Sequence, residues 1–90
     1  MPKISRHLVQ TYMAAMRLKK GSWATSKALA QAAGVAERTA RLHCNLLCSE
    51  GVLAAHTAGP MHHYRVADMR DNAMKFAAEI ERAAEIYGIK

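Results

Sequence analysis

The sequence predicts a small α+β domain in which two short helices joined by a tight turn are followed by a β-hairpin and a long terminal helix. Three patterns indicate this order of elements. Residues 28 to 53 carry apolar residues at helical spacing, interrupted at Gly34, a residue that readily adopts the positive φ found after a helix. From residue 52 to 66 the apolar spacing becomes alternating, which is typical of strands. From Met69 onward the spacing is helical again.

A helix is also predicted near the N-terminus. Ser5 is a suitable N-cap for it, and Gly21 can end it, so we expect the helix to run to about Lys20. Lys19 and Lys20 either interact favourably with the helix dipole or contact a phosphate, and the sequence leaves both alternatives open. The apolar residues of this helix fall on one face: Leu8, Val9, Tyr12, Met13 and Met16.

The next stretch is short and follows a turn. Residues 22 to 24 are predicted to form a minimal strand at the edge of the hairpin, with the side chain of Trp23 in the core. Thr25 then stands where the N-cap of the following helix belongs, because its hydroxyl can accept a hydrogen bond from the backbone of Lys27 or Ala28.

The helix predicted over about residues 37 to 50 has two contrasting faces. At 100° per residue, its core-facing side gathers around Ala40, and the opposite side carries Arg38, Arg41 and Asn45, with Glu37 as the only acid nearby. Guanidinium groups suit guanine edges and phosphates, and a carboxamide suits an adenine edge. Leu42 and Leu46 lie on a flank, where they pack on the first helix, contact thymine methyl groups or meet a partner. The core-facing side consists of Ala36, Ala40, His43, Cys44, Leu47 and Gly51.

Residues 52 to 56 and 62 to 66 are predicted to be the strands of the hairpin, with Gly59 and Pro60 near its tip. Histidine is mostly neutral near pH 7, so Arg65 is the permanent cation of this hairpin. The side chains expected to face inward are Leu53, Tyr64 and Val66, and the histidines of the hairpin are His56, His62 and His63.

Asp68 is predicted to cap the terminal helix, whose apolar residues step by four and three like the a and d positions of a coiled coil. Such a seam either folds back on the first helix or pairs with its copy in a dimer. We expect a dimer, because a core of about 65 residues offers limited surface to cover so long a helix. Residues 1 to 67 are then the binding domain and 68 to 90 the dimerisation element. The seam consists of Met69, Ala73, Phe76, Ile80, Ala83 and Tyr87.

Charge is unevenly distributed along the chain. Residues 1 to 66 hold nine Lys and Arg against two Glu, a net +7, and residues 67 to 90 hold four against five, a net −1, which together give +6. A basic domain of this size is typical of polyanion binding. No apolar run is long enough to span a bilayer and no secretory pattern is present, so we expect a soluble, cytoplasmic protein.

The sequence shows little sign of a metal site or of an enzyme active site. Cys44 and Cys48 are four residues apart on one predicted helix, but the histidines supply no familiar pair of zinc ligands. We therefore expect a buried thiol at Cys44, a partly exposed one at Cys48, and no metal. No nucleophile with a placed base and no Gly-rich phosphate loop is present, so we expect neither an enzyme nor a cofactor, and no small-molecule ligand is evident.

The run Ala-Leu-Ala, then Ala-Gly-Val, then Glu-Arg-Thr-Ala-Arg, closing on Glu-Gly-Val-Leu, resembles the DNA-binding core of winged helix-turn-helix transcriptional regulators of prokaryotes, phages and plasmids. The resemblance covers residues 22 to 66, and it implies a bacterial protein that is associated with the nucleoid when it is bound to DNA. It differs from the family pattern at Ala36, where a Ser or Thr cap is usual, and in the hairpin, or wing, where histidines replace lysines and arginines.

The resemblance implies a homodimer that binds double-stranded DNA sequence-specifically, with the helix over 37 to 50 in the major groove. Two alternatives keep the fold with another role: a protein-interaction adaptor, and an architectural or excisionase-like DNA-binding protein of a mobile element. The resemblance places phosphate contacts near residue 26. With the helix and wing, the expected DNA contacts are Thr25, Ser26, Lys27, Glu37, Arg38, Arg41, Leu42, Asn45, His62, His63 and Arg65.

Overall fold

The computed structural model describes residues 4–19 and 21–89. Within those residues the order of elements is the predicted one: helix, short strand, two helices, hairpin and long helix. The strands form an antiparallel sheet in the order β1-β3-β2. The described part of the chain has no helix that is both long and apolar enough to cross a membrane. The elements are α1 (Arg6–Met16), β1 (Ala24–Thr25), α2 (Ser26–Ala33), α3 (Glu37–Ser49), β2 (Leu53–Ala58), β3 (Met61–Val66) and α4 (Asp71–Tyr87).

Helix α1 begins as predicted and ends earlier than predicted. The Ser5 hydroxyl accepts a hydrogen bond from the backbone N–H of Leu8 at 3.2 Å, which caps the first turn. The helix ends at Met16, and Lys20 lies outside the described residues. The chain unwinds because Leu18 turns to pack against the core, and Gly21, with φ of 82°, serves the turn into β1 instead of ending the helix.

Strand β3 is the middle of the sheet. Tyr64 lies opposite Ala24 of β1 and Ala55 of β2, and its side chain is fully buried. Leu53 is also buried and Val66 packs against the same core, so the inward side chains predicted for the hairpin are confirmed. The strands are longer than predicted, because they continue to a two-residue connection, Gly59 and Pro60, in which Gly59 has φ of 62°.

The prediction that Trp23 belongs to the core is wrong. Strand β1 comprises Ala24 and Thr25 instead of residues 22 to 24, and Ala24 is the residue that faces inward opposite Tyr64. Since successive side chains point to opposite faces of a sheet, Trp23 projects outward, and it is 45% exposed.

The core lies between the sheet and the helices, and α1 contacts each of the other three helices. Many of the buried helical residues are alanines, which allow the helix backbones to approach closely. His43 of α3 is half-buried, and burial, with a smaller contribution from the charge of His7, lowers the pKa of its imidazole. The largest fully buried side chains are Tyr64, Leu8, Leu29, Leu47, Ile80, Val9 and Val52.

Helix α4 begins at Asp71 with Arg70 at the N-cap position, so the prediction that Asp68 caps it is wrong. The residues before it remain extended because Ala67 donates a backbone hydrogen bond to Val52 at 3.0 Å, which continues the hairpin past β3. The acidic residue in the first turn is therefore Asp71, whose charge is favourable near the positive end of the helix dipole.

The apolar seam of α4 packs mainly inside its own chain. Ala73, Phe76 and Ile80 are at most 5% exposed and belong to the same core as α1. Met69 and Ala83 are partly buried against that core, and only Tyr87 is exposed. The expectation that these central residues face a partner is therefore wrong, and the fold-back alternative is the one observed.

A polar contact also joins α4 to α1. The hydroxyl of Tyr12 donates a hydrogen bond to Oε1 of Glu81 at 3.3 Å. Burial, and next the charge of Glu81, raises the pKa of Tyr12 to about 12, so the phenol remains a neutral donor over the physiological range.

Replacing Ile80 with alanine tests the fold-back of α4. Ile80→Ala removes a fully buried side chain from the core, so we expect the free energy of unfolding to fall by about 2 to 5 kcal/mol in urea denaturation. Lys75→Ala is the matched control, because Lys75 lies exposed on the same helix and its loss is expected to cost less than about 0.5 kcal/mol. An equally small loss for Ile80→Ala would show that α4 does not pack on this core.

Candidate nucleic-acid interface

The helix-turn-helix unit is set by two local features of the sequence. The Thr25 hydroxyl accepts a hydrogen bond from the backbone N–H of Ala28 at 3.1 Å, which confirms the predicted cap of α2. Gly34 ends α2 with φ of 74°, and its N–H donates to the carbonyl of Ala30 at 2.9 Å. Helix α3 then starts after Ala36, which has no capping side chain, as the sequence indicated.

Helix α3 is divided into a buried and an exposed face. Ala40, Cys44 and Leu47 are fully buried and hold the helix on the core. The exposed face presents the two arginines and the asparagine singled out from the sequence, together with Leu42, which is 68% exposed. Leu46, on the same flank, is partly buried against the core, so of the two leucines only Leu42 remains free to contact DNA or a partner. A shallow groove of about 450 Å³ runs over this face, lined by Arg38, Thr39, Arg41, Leu42 and Asn45.

The tip of the wing approaches the start of α2 and α3. Together these elements line a recess of about 90 Å³ that contains Lys27, Arg41 and His62, with Glu37 as its acid. Ser26 also lines this recess but is itself buried, so it presents little surface. The two permanent cations of the recess, Lys27 and Arg41, come from α2 and α3, and His62 adds an imidazole from the wing. The full lining is Thr25, Ser26, Lys27, Glu37, Arg41, Pro60, Met61 and His62.

Two predicted contact residues of the wing lie elsewhere. Because side chains alternate along β3, His63 and Arg65 project to the face of the sheet opposite Tyr64. Arg65 places its guanidinium carbon 5.1 Å from the ring centre of Trp23, and the ring of Trp23 lies 5.7 Å from that of His56. The structure therefore does not bring His63 and Arg65 together with the exposed face of α3.

One polar contact links the sheet to α3. The hydroxyl of Tyr64 donates a hydrogen bond to Oδ1 of Asn45 at 3.0 Å. The sequence assigned Tyr64 to the core and Asn45 to the surface, and nothing in their spacing of 19 residues indicated that they meet. The available signal is chemical, because a buried tyrosine hydroxyl requires a hydrogen-bond partner.

The thiols of α3 are embedded in the domain. Cys44 is buried and Cys48 partly buried, both as free cysteines. Burial, with a smaller contribution from Cys48, raises the pKa of Cys44 to about 12, and burial also raises the pKa of Cys48. Among the residues that the structure describes, no three His, Cys, Asp or Glu side chains come together as a metal site would require.

Similarity to known proteins is found at the level of structure. No protein-family model matches the chain, and no curated protein is significantly similar to it in sequence. The solution structure of a fragment from Mycobacterium bovis, described as the homodimeric winged helix-turn-helix DNA-binding domain of "a possible ArsR-family transcriptional regulator", has a TM-score of 0.54 and 23% identity. The match covers 90% of this chain and 68% of that one.

A crystal structure of the same fragment, described as a possible transcriptional regulatory protein, has a TM-score of 0.57 at 23% identity and covers 90% of this chain and 80% of that one. NolR from Sinorhizobium fredii is matched over both full chains at 17% identity, with a TM-score of 0.48. The chain therefore has the winged helix-turn-helix fold, with β2, β3 and their connection as the wing.

Alkylation of the two cysteines tests this arrangement of α3. Thiolates are the reactive form, and a pKa near 12 in place of 9.0 lowers the thiolate fraction of Cys44 by roughly a thousandfold. In the folded protein at pH 8 we expect iodoacetamide to label Cys48 first, with Cys44 labelled only as fast as the domain unfolds. Peptide mass mapping measures both rates, and in urea they should become similar. Equal rates in the folded protein would contradict the burial of Cys44.

Proposed function

We propose that this protein is a transcriptional regulator that binds double-stranded DNA sequence-specifically and inserts α3 into the major groove. The observation that carries the proposal is the exposed face of α3, which presents Arg38, Arg41 and Asn45 beside a basic recess under the wing. A solvated helix face usually mixes acids and bases, but here Glu37 is the only acid close by. A protein-interaction adaptor would have no need for a face so poor in acids.

The dimensions of α3 suit this role. Its 13 residues span about 20 Å, and an α-helix fits into the major groove of B-DNA, which is about 12 Å wide. Arg38 and Arg41 provide the forked donors that bind guanine, and Leu42 provides an apolar contact for a thymine methyl group.

Within the recess, Lys27 and His62 are assigned to phosphate binding, and Arg41, which lines both the recess and the groove of α3, is assigned to base recognition. Lys27 lies near the N-terminus of α2, where backbone N–H groups and the helix dipole favour an anion. His62 adds a polar group from the wing. These contacts position the protein on DNA of any sequence, whereas the α3 face chooses among sequences.

Arg41 and Lys27 separate these two roles. Arg41→Ala is expected to cost about 1 to 3 kcal/mol at a specific site obtained by selection from random DNA, and much less on random DNA itself. Lys27→Ala, the matched control, should weaken binding to all sequences alike and reduce the slope of log K against log salt by about one. Titrations at several salt concentrations measure both. Equal losses on specific and random DNA would make Arg41 a phosphate contact, and a protein that selects no sequence would contradict the proposed function.

We further infer that the regulator acts as a homodimer through the outer side of α4. The M. bovis neighbour is described as homodimeric, and paired recognition helices match a two-fold DNA site. The buried seam is unavailable, but an outer row at i, i+4 spacing remains exposed: Met74, Ala78, Arg82 and Ile86. Within it Met74 is 54% and Ile86 84% exposed, so both apolar side chains are accessible to a second copy of the chain.

Contacts at the end of α4 join it to the segment around the start of α1. The Tyr87 hydroxyl donates a hydrogen bond to the carbonyl of Ile4 at 3.1 Å. Arg6 donates in return from Nη2 to the carbonyl of Tyr87 at 3.2 Å, and its guanidinium carbon lies 5.9 Å from the ring centre. These contacts fix the last turn of α4, which carries Ile86, against the start of α1.

Ile86→Glu tests the dimer without disturbing the core, because Ile86 is exposed in the single chain. We expect sedimentation to give twice 9.9 kDa for the parent protein and 9.9 kDa for the variant. Gln31→Glu, an equal charge change on exposed α2, should leave the mass of the dimer unchanged. A parent protein that sediments as a single chain at tens of micromolar would contradict the dimer.

A further inference from the structure

We propose that Tyr64 is a specificity-determining residue, which holds the side chain of Asn45 so that its amide NH2 group, and not its carbonyl oxygen, faces the DNA bases. The proposal rests on the proposed function, since it assumes that α3 reads base edges. It deepens that function by stating which kind of base edge Asn45 recognises.

The geometry comes from the two ends of the hydrogen bond. Tyr64 lies in the middle strand of the sheet, paired on both sides and fully buried, so its ring has no freedom to move away. Its hydroxyl reaches Oδ1 of Asn45 at 3.0 Å, while the rest of Asn45 is exposed in the groove of α3. The rigid, buried side chain of Tyr64 thus holds the flexible, exposed side chain of Asn45.

The direction of the hydrogen bond follows from the chemistry of the phenol. Burial raises the pKa of Tyr64, so its hydroxyl keeps its proton at neutral pH. A buried O–H that donates to nothing is costly, and the acceptor within reach is the amide of Asn45. Donation by Tyr64 therefore turns Oδ1 inward, and the planar amide must then point Nδ2 outward.

This orientation changes the base that Asn45 reads. A free asparagine binds adenine with both groups, since Oδ1 accepts from the N6 amine and Nδ2 donates to N7. With Oδ1 engaged by Tyr64, Asn45 presents donors alone. It should prefer a base whose major-groove edge offers acceptors, guanine with N7 and O6 or thymine with O4, and reject cytosine, whose edge there offers a donor.

The experiment uses the full chain. It measures the base preference of the protein at every position of a site selected from random DNA. Asn45→Ala first identifies the position that Asn45 reads, as the one where preference is lost. There we expect the parent protein to favour guanine or thymine over cytosine by about tenfold or more. Tyr64→Phe keeps the ring and removes the hydroxyl, so the freed amide of Asn45 should now bind adenine as well as it binds guanine or thymine. Binding to random DNA should stay within about twofold of the parent protein.

Two further variants sharpen the result. Tyr12→Phe removes the hydroxyl of another buried tyrosine, which bonds Glu81 away from α3, and should leave every base preference unchanged. Asn45→Asp keeps an acceptor for Tyr64 but replaces the outward donor with a second acceptor. It should shift the preference at the same position toward cytosine, even if Tyr64→Phe fails to fold.

The outcomes separate the proposal from the function on which it rests. An unchanged preference in Tyr64→Phe, or an Asn45→Asp variant that still rejects cytosine, would overturn the role of Tyr64. An Asn45→Ala variant that keeps every base preference of the parent protein would overturn it as well. In that case Arg41 could still read DNA, and the proposed function would stand. Failure of the parent protein to select any sequence would overturn both.

Discussion

The geometry of this domain depends on the alternation of side chains along β3, the middle strand of the sheet. Tyr64 projects into the core, and Arg65 projects to the opposite face. Because β1 and β2 both pair with β3, the same alternation turns Ala24 inward and Trp23 outward. A slip of one residue would exchange the two faces and separate Tyr64 from α3, so the buried tyrosine specifies the register as well as filling the core.

Small residues decide how the helices pack around this sheet. Alanines at the contacts of α1 with its neighbours permit close approach but bury little area, so hydrophobic stabilisation rests on a few large side chains. Helix α4 supplies two of them, Phe76 and Ile80. The terminal helix is therefore built into the core of the domain, and this explains why its coiled-coil-like spacing is satisfied within one chain.

The candidate interface joins groups of different rigidity. The α3 face is carried on a helix whose buried side is fully covered, whereas the recess below the wing combines side chains from β1, α2, α3 and the wing. A site that must distinguish bases benefits from held side chains, since a loosely held group binds several partners about equally. The contact between Tyr64 and Asn45 couples the sheet of the wing directly to the reading helix.

Local patterns in the sequence determined the order of the elements, the caps at Ser5 and Thr25, the turn at Gly34 and the exposed face of α3. These features depend on residues within one or two helical turns, so spacing and turn chemistry were sufficient to predict them. Tertiary structure alone decided three features: the exposure of Trp23, the surface on which α4 buries its seam, and the contact that Tyr64 makes. Each depends on the register of a two-residue strand or on packing between distant segments, and a period of two or of 3.6 does not say which neighbour covers a face.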